Sequence, residues 1–286
     1  MRENGHEVIG LSRSKDATRD NLVHWDPAKG ELNPAALAGI DAFVNLAGEN
    51  LAERWSEEKK KQFRESRIPV TALISRTIAA LPQKPAVLVS TSAIGVYGHD
   101  RGDEELDEHS PLGDDFLATL CKDWEAATAP ANEAGIRVVH ARSGIVLNPA
   151  GGVIEKLLVP FRLGIGGKVG SGNQWVSWIA RTDHVRAILF LIEKSVLHGP
   201  VNMTAPHPAT NEQLATELGK AIHRPAVAPV PATVIRMMLG REMADSTVLA
   251  TQQVLPRRLI GAGFEFRFPA LPEALEHELK KGATKK

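Results

Sequence analysis

Hydroxyl groups that could take part in proton transfer are concentrated in one stretch of the chain, Ser90-Thr-Ser-Ala-Ile-Gly-Val-Tyr-Gly98. Ser92 is a candidate hydrogen-bond donor to a reacting oxygen, and Tyr97, the single tyrosine, is a candidate general acid. A tyrosine in this context can instead pack in the interior or line a pocket. We therefore take Ser92 and Tyr97 as candidate catalytic residues and leave the packing role open for Tyr97.

A glycine-rich run, Gly164-Ile-Gly-Gly-Lys-Val-Gly-Ser-Gly172, invites comparison with phosphate-binding loops. A dinucleotide-binding loop that begins at Gly164 would need a glycine at position 169, where Val169 stands. A P-loop would need Ser or Thr directly after Lys168. The run fits neither pattern, so we expect a flexible loop on the substrate side, with a phosphate cradle as the alternative.

Composition limits the functional classes. The chain has 286 residues with equal numbers of basic and acidic residues, 34 of each, and gives no sign of a nucleic-acid partner. No apolar stretch approaches the ~18 residues of a membrane span and no secretory signal is visible, so we expect a cytoplasmic protein. The single cysteine, Cys121, excludes a multi-cysteine metal site, and we predict no metal. Its helical surroundings favour a buried core residue over a nucleophile.

Apolar runs that are nearly continuous, rather than alternating, predict strands buried on both faces of a sheet. Four such strands are predicted, at residues 8–11, 42–46, 86–90 and 138–141. Helical periodicity lies between them, at residues 55–67, 70–81 and 116–135. Ser56 is placed to cap the first helix, and Gly135 to end the third. This alternation predicts an α/β fold with a Rossmann-type doubly wound parallel sheet.

The second half of the chain has a different texture. Residues 183–194 form a strong amphipathic helical pattern, and Thr210 and Gln213 are spaced for a capping box at the start of another helix. Residues 264–268 alternate as a strand does. We expect short helices and a strand in this half, without internal repeats.

The first predicted strand ends in Ser12-Arg13. In a Rossmann fold the end of the second strand meets the adenosine ribose. An acidic residue there reads the 2′-hydroxyl of NAD, whereas an arginine accommodates the 2′-phosphate of NADP. Arg13 therefore favours NADP(H), with a surface arginine after a strand as the alternative.

Several stretches, taken in order, resemble one family. Asn45-Leu-Ala-Gly-Glu-Asn50 is similar to a turn beside the cofactor in short-chain dehydrogenase/reductase (SDR) proteins, and residues 90–98 resemble a motif of extended SDR epimerases and dehydratases. The order continues through residues 142–147, 160–167, 177–179 and 230–232. Across essentially the full chain, the sequence resembles the epimerase-like, atypical SDR family of largely unknown function. Its members end in a small C-terminal domain and are sometimes labelled cell-division-inhibitor-like.

The resemblance implies an NADP(H)-binding Rossmann domain over residues 1–150, with residues 180–205 returning to it. Residues 151–179 and 206–286 would form the substrate-side region and a smaller C-terminal α/β domain. The resemblance implies a cofactor site formed by Ser12, Arg13, Leu46, Ala47, Gly48, Arg67, Ser90, Thr91, Gly144, Ile145 and Val146. Candidates for the substrate pocket are Arg162, Lys168, Gln174, Trp178 and Asp183. Arg67 could instead form a surface salt bridge, and Asp183 could cap the helix that follows it.

One departure from the family concerns catalysis. SDR enzymes use a Tyr-x-x-x-Lys pair on a helix, but the matching positions here are Leu117 and Cys121, and Lys122 is one position off, which is about 100° around a helix. The leading hypothesis is an NADP(H)-dependent oxidoreductase or epimerase-like enzyme with an unknown small-molecule substrate. The alternative is a sensor or scaffold protein that binds NADP(H) without turnover.

The other departure is the opening of the chain. Relative to the family, the sequence lacks the first strand, the glycine-rich loop and the start of the first helix, roughly twenty residues of the dinucleotide-binding unit. We expect either a start codon that was assigned too late or a true truncation. A true truncation would remove the backbone amides that hold the pyrophosphate.

Overall fold

The computed structural model of the chain describes residues 5–14 and 21–283. Up to residue 143, strands and helices alternate in the order β1 (Gly10–Ser12), β2 (Leu22–His24), β3 (Ala42–Asn45), α1 (Glu57–Glu65), α2 (Ile68–Ala79), β4 (Val87–Ala93), β5 (Asp100–Leu106), α3 (Phe116–Ala126), α4 (Ala129–Glu133) and β6 (Arg137–Ser143). The elements that follow are β7 (Ile145–Leu147), α5 (Gly152–Arg162), β8 (Trp175–Val176), β9 (Trp178–Ala180), α6 (Arg181–Glu193), β10 (Gly199–Met203), β11 (Ala209–Thr210), α7 (Asn211–Ala221), α8 (Ala232–Leu239), α9 (Arg241–Ser246), β12 (Thr251–Val254), α10 (Arg257–Gly261) and α11 (Leu271–Ala283).

The central sheet has four parallel strands in the order β10-β6-β4-β3. β1 and β2 form a separate parallel pair, and β7 pairs with β9 in parallel. Helices cover both faces of the central sheet. The predicted α/β fold with a parallel, Rossmann-like sheet is therefore confirmed.

Burial on both faces explains why the strands read as continuous apolar runs. In β4, Leu88 packs with α2 and α4 on one face, while Val87 and Val89 pack with α6 on the other. Each of these three side chains is almost fully buried. A strand in this position has no solvent-facing side and therefore no polar alternation.

The helix predicted over residues 116–135 is instead two helices, α3 and α4. Pro130 lies in the first turn of α4. A proline has no backbone N–H and its ring clashes with the carbonyl four residues earlier, so a single continuous helix cannot form through it. The other helix predictions hold: Ser56 caps α1, and Thr210 and Gln213 form the capping box of α7.

The strand predicted at residues 264–268 is wrong. No strand is assigned there, and the backbone N–H groups of Arg267 and Phe268 donate to the carboxylate of Asp183 instead, at 3.0 and 2.8 Å. The alternating phenylalanines pack as aromatic neighbours, with Phe264 and Phe266 edge to face at 4.8 Å. The alternating pattern of residues 264–268 therefore reflects the packing of aromatic rings, and no neighbouring strand pairs with this segment.

The C-terminal part is joined to the first half through β12, which pairs in parallel with β5. The Gln252 side chain donates to the carbonyls of Ile94 and Gly98, and the Ser177 hydroxyl donates to the Gln252 carbonyl at 2.7 Å. A strand from the end of the chain thus supports the turn that follows β4. Within the described residues, no helix combines the length and apolarity needed to cross a membrane.

Candidate functional site

Three sets of predicted site residues meet at the carboxyl edge of the central sheet. Asn45 pairs in register with Ser90, and Ala93 with Ser143, so β3, β4 and β6 end side by side. Leu46, Ala47 and Gly48 follow β3, Ser90 to Ser92 lie near the end of β4, and Gly144 to Val146 follow β6. In open α/β sheets, ligands bind at the carboxyl ends of the strands. This edge is therefore the candidate site.

Asn45 fixes the turn at this edge. Its buried side-chain amide donates to the Thr71 hydroxyl at 2.9 Å and to the Ser90 hydroxyl at 3.2 Å, and its side-chain oxygen, Oδ1, accepts the Ala47 N–H at 3.1 Å. Leu46, next in the chain, is 63% exposed. We did not predict a role for Asn45 from the sequence, although an asparagine that ends an apolar strand is a usable signal, because a buried amide needs polar partners.

Arg67 lies beneath the same turn and is only 7% exposed. Its guanidinium donates to the Glu49 carbonyl at 2.8 Å and stacks over the Trp124 ring at 5.1 Å. A Cβ atom at Gly48 would lie 3.0 Å from this guanidinium. Burial lowers the pKa of Arg67. The alternative of a surface salt bridge is wrong, because the side chain is buried and bonded to backbone oxygens.

Ser92 belongs to a buried charged network between β4, α3 and β6. Its hydroxyl donates to Glu125 Oε1 at 2.7 Å. Arg142 binds the same carboxylate with two hydrogen bonds, Nε to Oε1 at 2.8 Å and a terminal nitrogen to Oε2 at 2.9 Å. Burial alone would raise the pKa of Glu125, but Arg142 outweighs it and holds that pKa below its usual range. Glu125 is therefore an ionised carboxylate behind Ser92. We had not named Glu125 as a site residue.

Tyr97 lies in the same interior and has no exposed surface. Its hydroxyl donates to Asn202 Oδ1 at 2.7 Å and accepts a hydrogen bond from Arg142 at 3.1 Å. Burial raises the pKa of Tyr97. The prediction of a catalytic acid is therefore wrong for Tyr97, since its side chain has no exposed surface and Asn202 and Arg142 occupy both sides of its hydroxyl. The packing role left open for it is the correct one.

The positions that would hold the SDR Tyr and Lys are buried on α3. Leu117 packs with Phe63, and Cys121 packs with Val96 and Leu106. Burial raises the pKa of Cys121 to about 12, so its thiol stays protonated and unreactive near neutral pH. The prediction of a buried core cysteine is confirmed.

The end of β6 is closely packed. A Cβ atom at Gly144 would lie 2.5 Å from the Ser177 carbonyl oxygen, so only glycine fits there. Ser143, the residue before it, lies with its hydroxyl 2.9 Å from His184 Nε2. Burial lowers the pKa of His184 to about 4, which keeps it neutral. No sequence pattern pointed to Ser143 or His184, because their contact joins residues 41 positions apart.

Three residues predicted for the substrate pocket are in the interior. Gln174 donates to the Val169 carbonyl at 2.9 Å, and the Trp178 indole donates to the His207 carbonyl at 3.1 Å. Asp183 has no exposed surface and holds the backbone of residues 267–268. These side chains are therefore not pocket-lining. The alternative cap role for Asp183 is also wrong, because α6 begins two residues before it.

The two other pocket candidates remain near the surface. Arg162 is exposed at the end of α5, and Lys168 pairs with Glu212 at 2.9 Å. The glycine-rich run that contains Lys168 is anchored rather than free, since the Val230 N–H donates to the Lys168 carbonyl and the Gly170 N–H to the Val230 carbonyl. The glycine-rich run is therefore held by backbone hydrogen bonds to Val230, in the connector before α8.

Ser12 and Arg13 lie at the carboxyl end of β1, where Arg13 is exposed. Leu11, the residue before them, packs on the same hydrophobic cluster as Ala47. The end of β1 and the turn after β3 thus share one underlying core. In the part of the chain that the structure describes, no group of three or more potential metal ligands comes together.

Two models of known protein families match the chain. The model of the NAD dependent epimerase/dehydratase family matches residues 1–203. The chain belongs to this epimerase family. A second model, for a domain of unknown function (DUF1731), matches residues 230–278 of this epimerase family member. The resemblance seen in the sequence is confirmed.

Relatives of this epimerase family member extend from bacteria to humans. An epimerase family protein of Mycobacterium tuberculosis is 42% identical over 96% of this chain and 90% of its own. A crystal structure of human epimerase family protein SDR39U1 (isoform 2) with NADPH is 36% identical, with a TM-score of 0.87, over 98% of this chain and 92% of that one. A nucleoside-diphosphate sugar epimerase from Corynebacterium glutamicum is 36% identical, with a TM-score of 0.78, over 96% of this chain and 53% of its own.

Proposed function

We propose that this chain binds NADP(H) at the carboxyl edge of its central sheet and is an NADP(H)-dependent oxidoreductase or epimerase-like enzyme of the atypical SDR class. The observation that carries the proposal is the likeness to human SDR39U1, which was crystallised with NADPH and matches nearly the whole chain. The substrate is a small molecule whose identity the proposal leaves open.

The residues at the edge fit this cofactor. Leu46 offers an exposed apolar side chain for a ring to lie against, and the absence of a side chain at Gly48 lets the backbone pack closely against the Arg67 cation. Arg13, exposed at the end of β1, would bind the 2′-phosphate. When bound, the nicotinamide would supply hydride transfer, while the protein supplies orientation and polar groups.

Ser92 supports an enzyme rather than a protein that only binds the nucleotide. Its hydroxyl is held against an ionised carboxylate at 2.7 Å, an arrangement that binding alone does not require. A serine so placed can exchange a proton with a reacting oxygen, which is the role that the absent Tyr-x-x-x-Lys pair would otherwise fill.

Titration of NADPH fluorescence against the purified chain tests the proposal. Arg13→Ala should weaken NADPH binding about 10- to 100-fold, because a charge-assisted contact to phosphate is lost, and should leave NADH binding unchanged. Arg76→Ala, which removes an exposed arginine on α2, is the matched control. Equal losses for NADPH and NADH would overturn the 2′-phosphate assignment, and no binding of either by the wild type would overturn the cofactor.

A further inference from the structure

A line of polar groups leads from Ser92 away from the carboxyl edge of the sheet. Ser92 is 3% exposed, so its hydroxyl proton has no direct exchange with bulk water. Behind it lies Glu125, and behind Glu125 lies His140 on β6, with its Nδ1 3.7 Å from Glu125 Oε2. The two carboxylate oxygens therefore face different partners, Oε1 toward Ser92 and Oε2 toward His140.

The Thr128 hydroxyl contacts His140 and bears on its neutral tautomer. The Thr128 hydroxyl donates its single proton to the Glu125 backbone carbonyl at 2.7 Å. The same hydroxyl lies 2.9 Å from His140 Nε2, and while it donates to the carbonyl it accepts there from an Nε2 that carries the hydrogen, which is the tautomer that a relay through Nδ1 requires. Nδ1 is then a bare lone pair that faces the Oε2 lone pairs. One added proton could be held between these two acceptor atoms.

Beyond His140 the line reaches solvent. A cavity of about 640 Å³, open at its mouth, is lined by Glu125, Thr128 and His140 together with apolar side chains such as Ile136 and Val138. It lies near the amino ends of β6 and β10, away from the carboxyl edge where Ser92 lies. The cavity is large enough for several waters that could exchange protons with His140.

Near neutral pH, the surrounding charges leave no proton between His140 Nδ1 and Glu125 Oε2. Burial lowers the pKa of His140, and the opposing pull of Glu125 does not cancel this, while Arg142 holds the pKa of Glu125 low. Cys121, on the same helix as Glu125, stays protonated. Besides Glu125 and His140, the titratable residues that line the cavity are Arg137 and His198. An ionised Glu125 beside a neutral His140 can take up one proton.

We propose that Ser92, Glu125 and His140 form a proton relay between the reacting oxygen at the carboxyl edge and the open cavity. The inference rests on the proposed function. Oxidation of an alcohol by NADP⁺ would transfer a hydride from carbon to the nicotinamide and release a proton from oxygen. That proton passes to Ser92 Oγ as the serine's own proton passes to Glu125 Oε1. The carboxyl group turns to bring this proton to the side of His140 and passes it to Nδ1, and the imidazolium so formed releases one proton to water in the cavity. Reduction of a carbonyl runs the same chain inward.

The tautomer of His140 can be measured without cofactor or substrate. In ¹⁵N-labelled protein at neutral pH, the His140 signal, assigned by its loss in His140→Gln, should show a protonated Nε2 and a bare Nδ1. Thr128→Val should remove this preference, whereas Thr77→Val, which deletes a similarly buried hydroxyl bonded to the Leu73 carbonyl, should not. A proton on Nδ1 in the wild type would overturn the relay.

The turnover rate provides a second test, because a purely structural role of His140 would not produce the changes in kcat expected here. With aldehydes and ketones as test substrates, His140→Gln and His140→Ala should lower kcat about 10²-fold and leave NADPH affinity unchanged. Added imidazole, which fits the cavity, should restore kcat in His140→Ala. Unchanged kcat, or a loss that imidazole does not restore, would overturn the relay while the proposed function stands. A wild type that binds no NADPH would overturn the proposed function. The tautomer measurement would still decide which ring nitrogen of His140 carries the proton.

Discussion

Removing Glu125 should destabilise the fold by about 3–5 kcal/mol, because it leaves a buried charge without its partner. Arg142 is 4% exposed and would lose both hydrogen bonds to the carboxylate in Glu125→Leu. Ser92 would lose its acceptor as well, which adds a cost of about 1 kcal/mol. The double variant Glu125→Leu with Arg142→Met removes both charges and should lie within about 2 kcal/mol of the wild type.

Urea unfolding at neutral pH, followed by circular dichroism, measures these free energies of unfolding. The exposed pair of Glu105 and Arg257 provides the control, since it has the same chemistry at 3.0 Å but side chains that are 57% and 60% exposed. Glu105→Leu should change the free energy of unfolding by less than about 1 kcal/mol. The comparison isolates burial as the cause of the difference.

Two results would refute the reasoning about this pair. One is a cost for Glu125→Leu no larger than that for Glu105→Leu. The other is a double variant whose cost equals the sum of the costs of Glu125→Leu and of Arg142→Met, each measured alone, because the coupling energy between Glu125 and Arg142 would then be zero. Similar slopes of unfolding against urea across the set are needed for a clean comparison.

Three further outcomes are expected. Burial lowers the pKa of His184 to about 4 from 6.5, so the unfolded chain alone takes up a proton in this window, and stability should fall by about 3 kcal/mol as pH drops from 6.5 to 4; urea titrations should show a shallower fall for His184→Gln. Gly144→Ala should lower the melting temperature measured by calorimetry, because its Cβ would lie 2.5 Å from the Ser177 carbonyl oxygen, whereas Gly261→Ala, at an open position, should not. Cys121 should react with a thiol reagent at the unfolding rate, and faster labelling of the folded protein would contradict its burial.

Much of the fold was predictable because the deciding interactions are local or periodic. The apolar runs predicted β3, β4 and β6, and the caps at Ser56 and Thr210 mark where helices begin. Pro130 could have predicted the break between α3 and α4, since proline disfavours a continuous helix by its covalent structure alone.

The gathering of site residues was predictable for a related reason. Parallel strands end at one edge, so residues after β3, near the end of β4 and after β6 must lie together once the sheet is recognised. This argument places Gly48, Ser92 and Gly144 without knowledge of any contact.

The direction of individual side chains was not predictable. The Tyr97 hydroxyl donates to Asn202, 105 positions away, and the backbone N–H groups that donate to the Asp183 carboxylate are 84 and 85 positions away. A polar residue in a motif reads the same whether it faces a ligand or a distant backbone amide. Only the tertiary packing decides between these, and here it buries both residues.

The way β12 lies in the molecule has a consequence for how such proteins can be recombined. Gln252 supports the turn at residues 94–98, and the hydroxyl of Thr204 donates to the Val254 carbonyl at 3.0 Å. The two family segments end at residue 203 and begin at residue 230, and these contacts mean that the protein does not divide into independent parts between them. A chimaera that takes its tail from one relative and its body from another would have to match both sides of these contacts, so the two segments should be inherited as one.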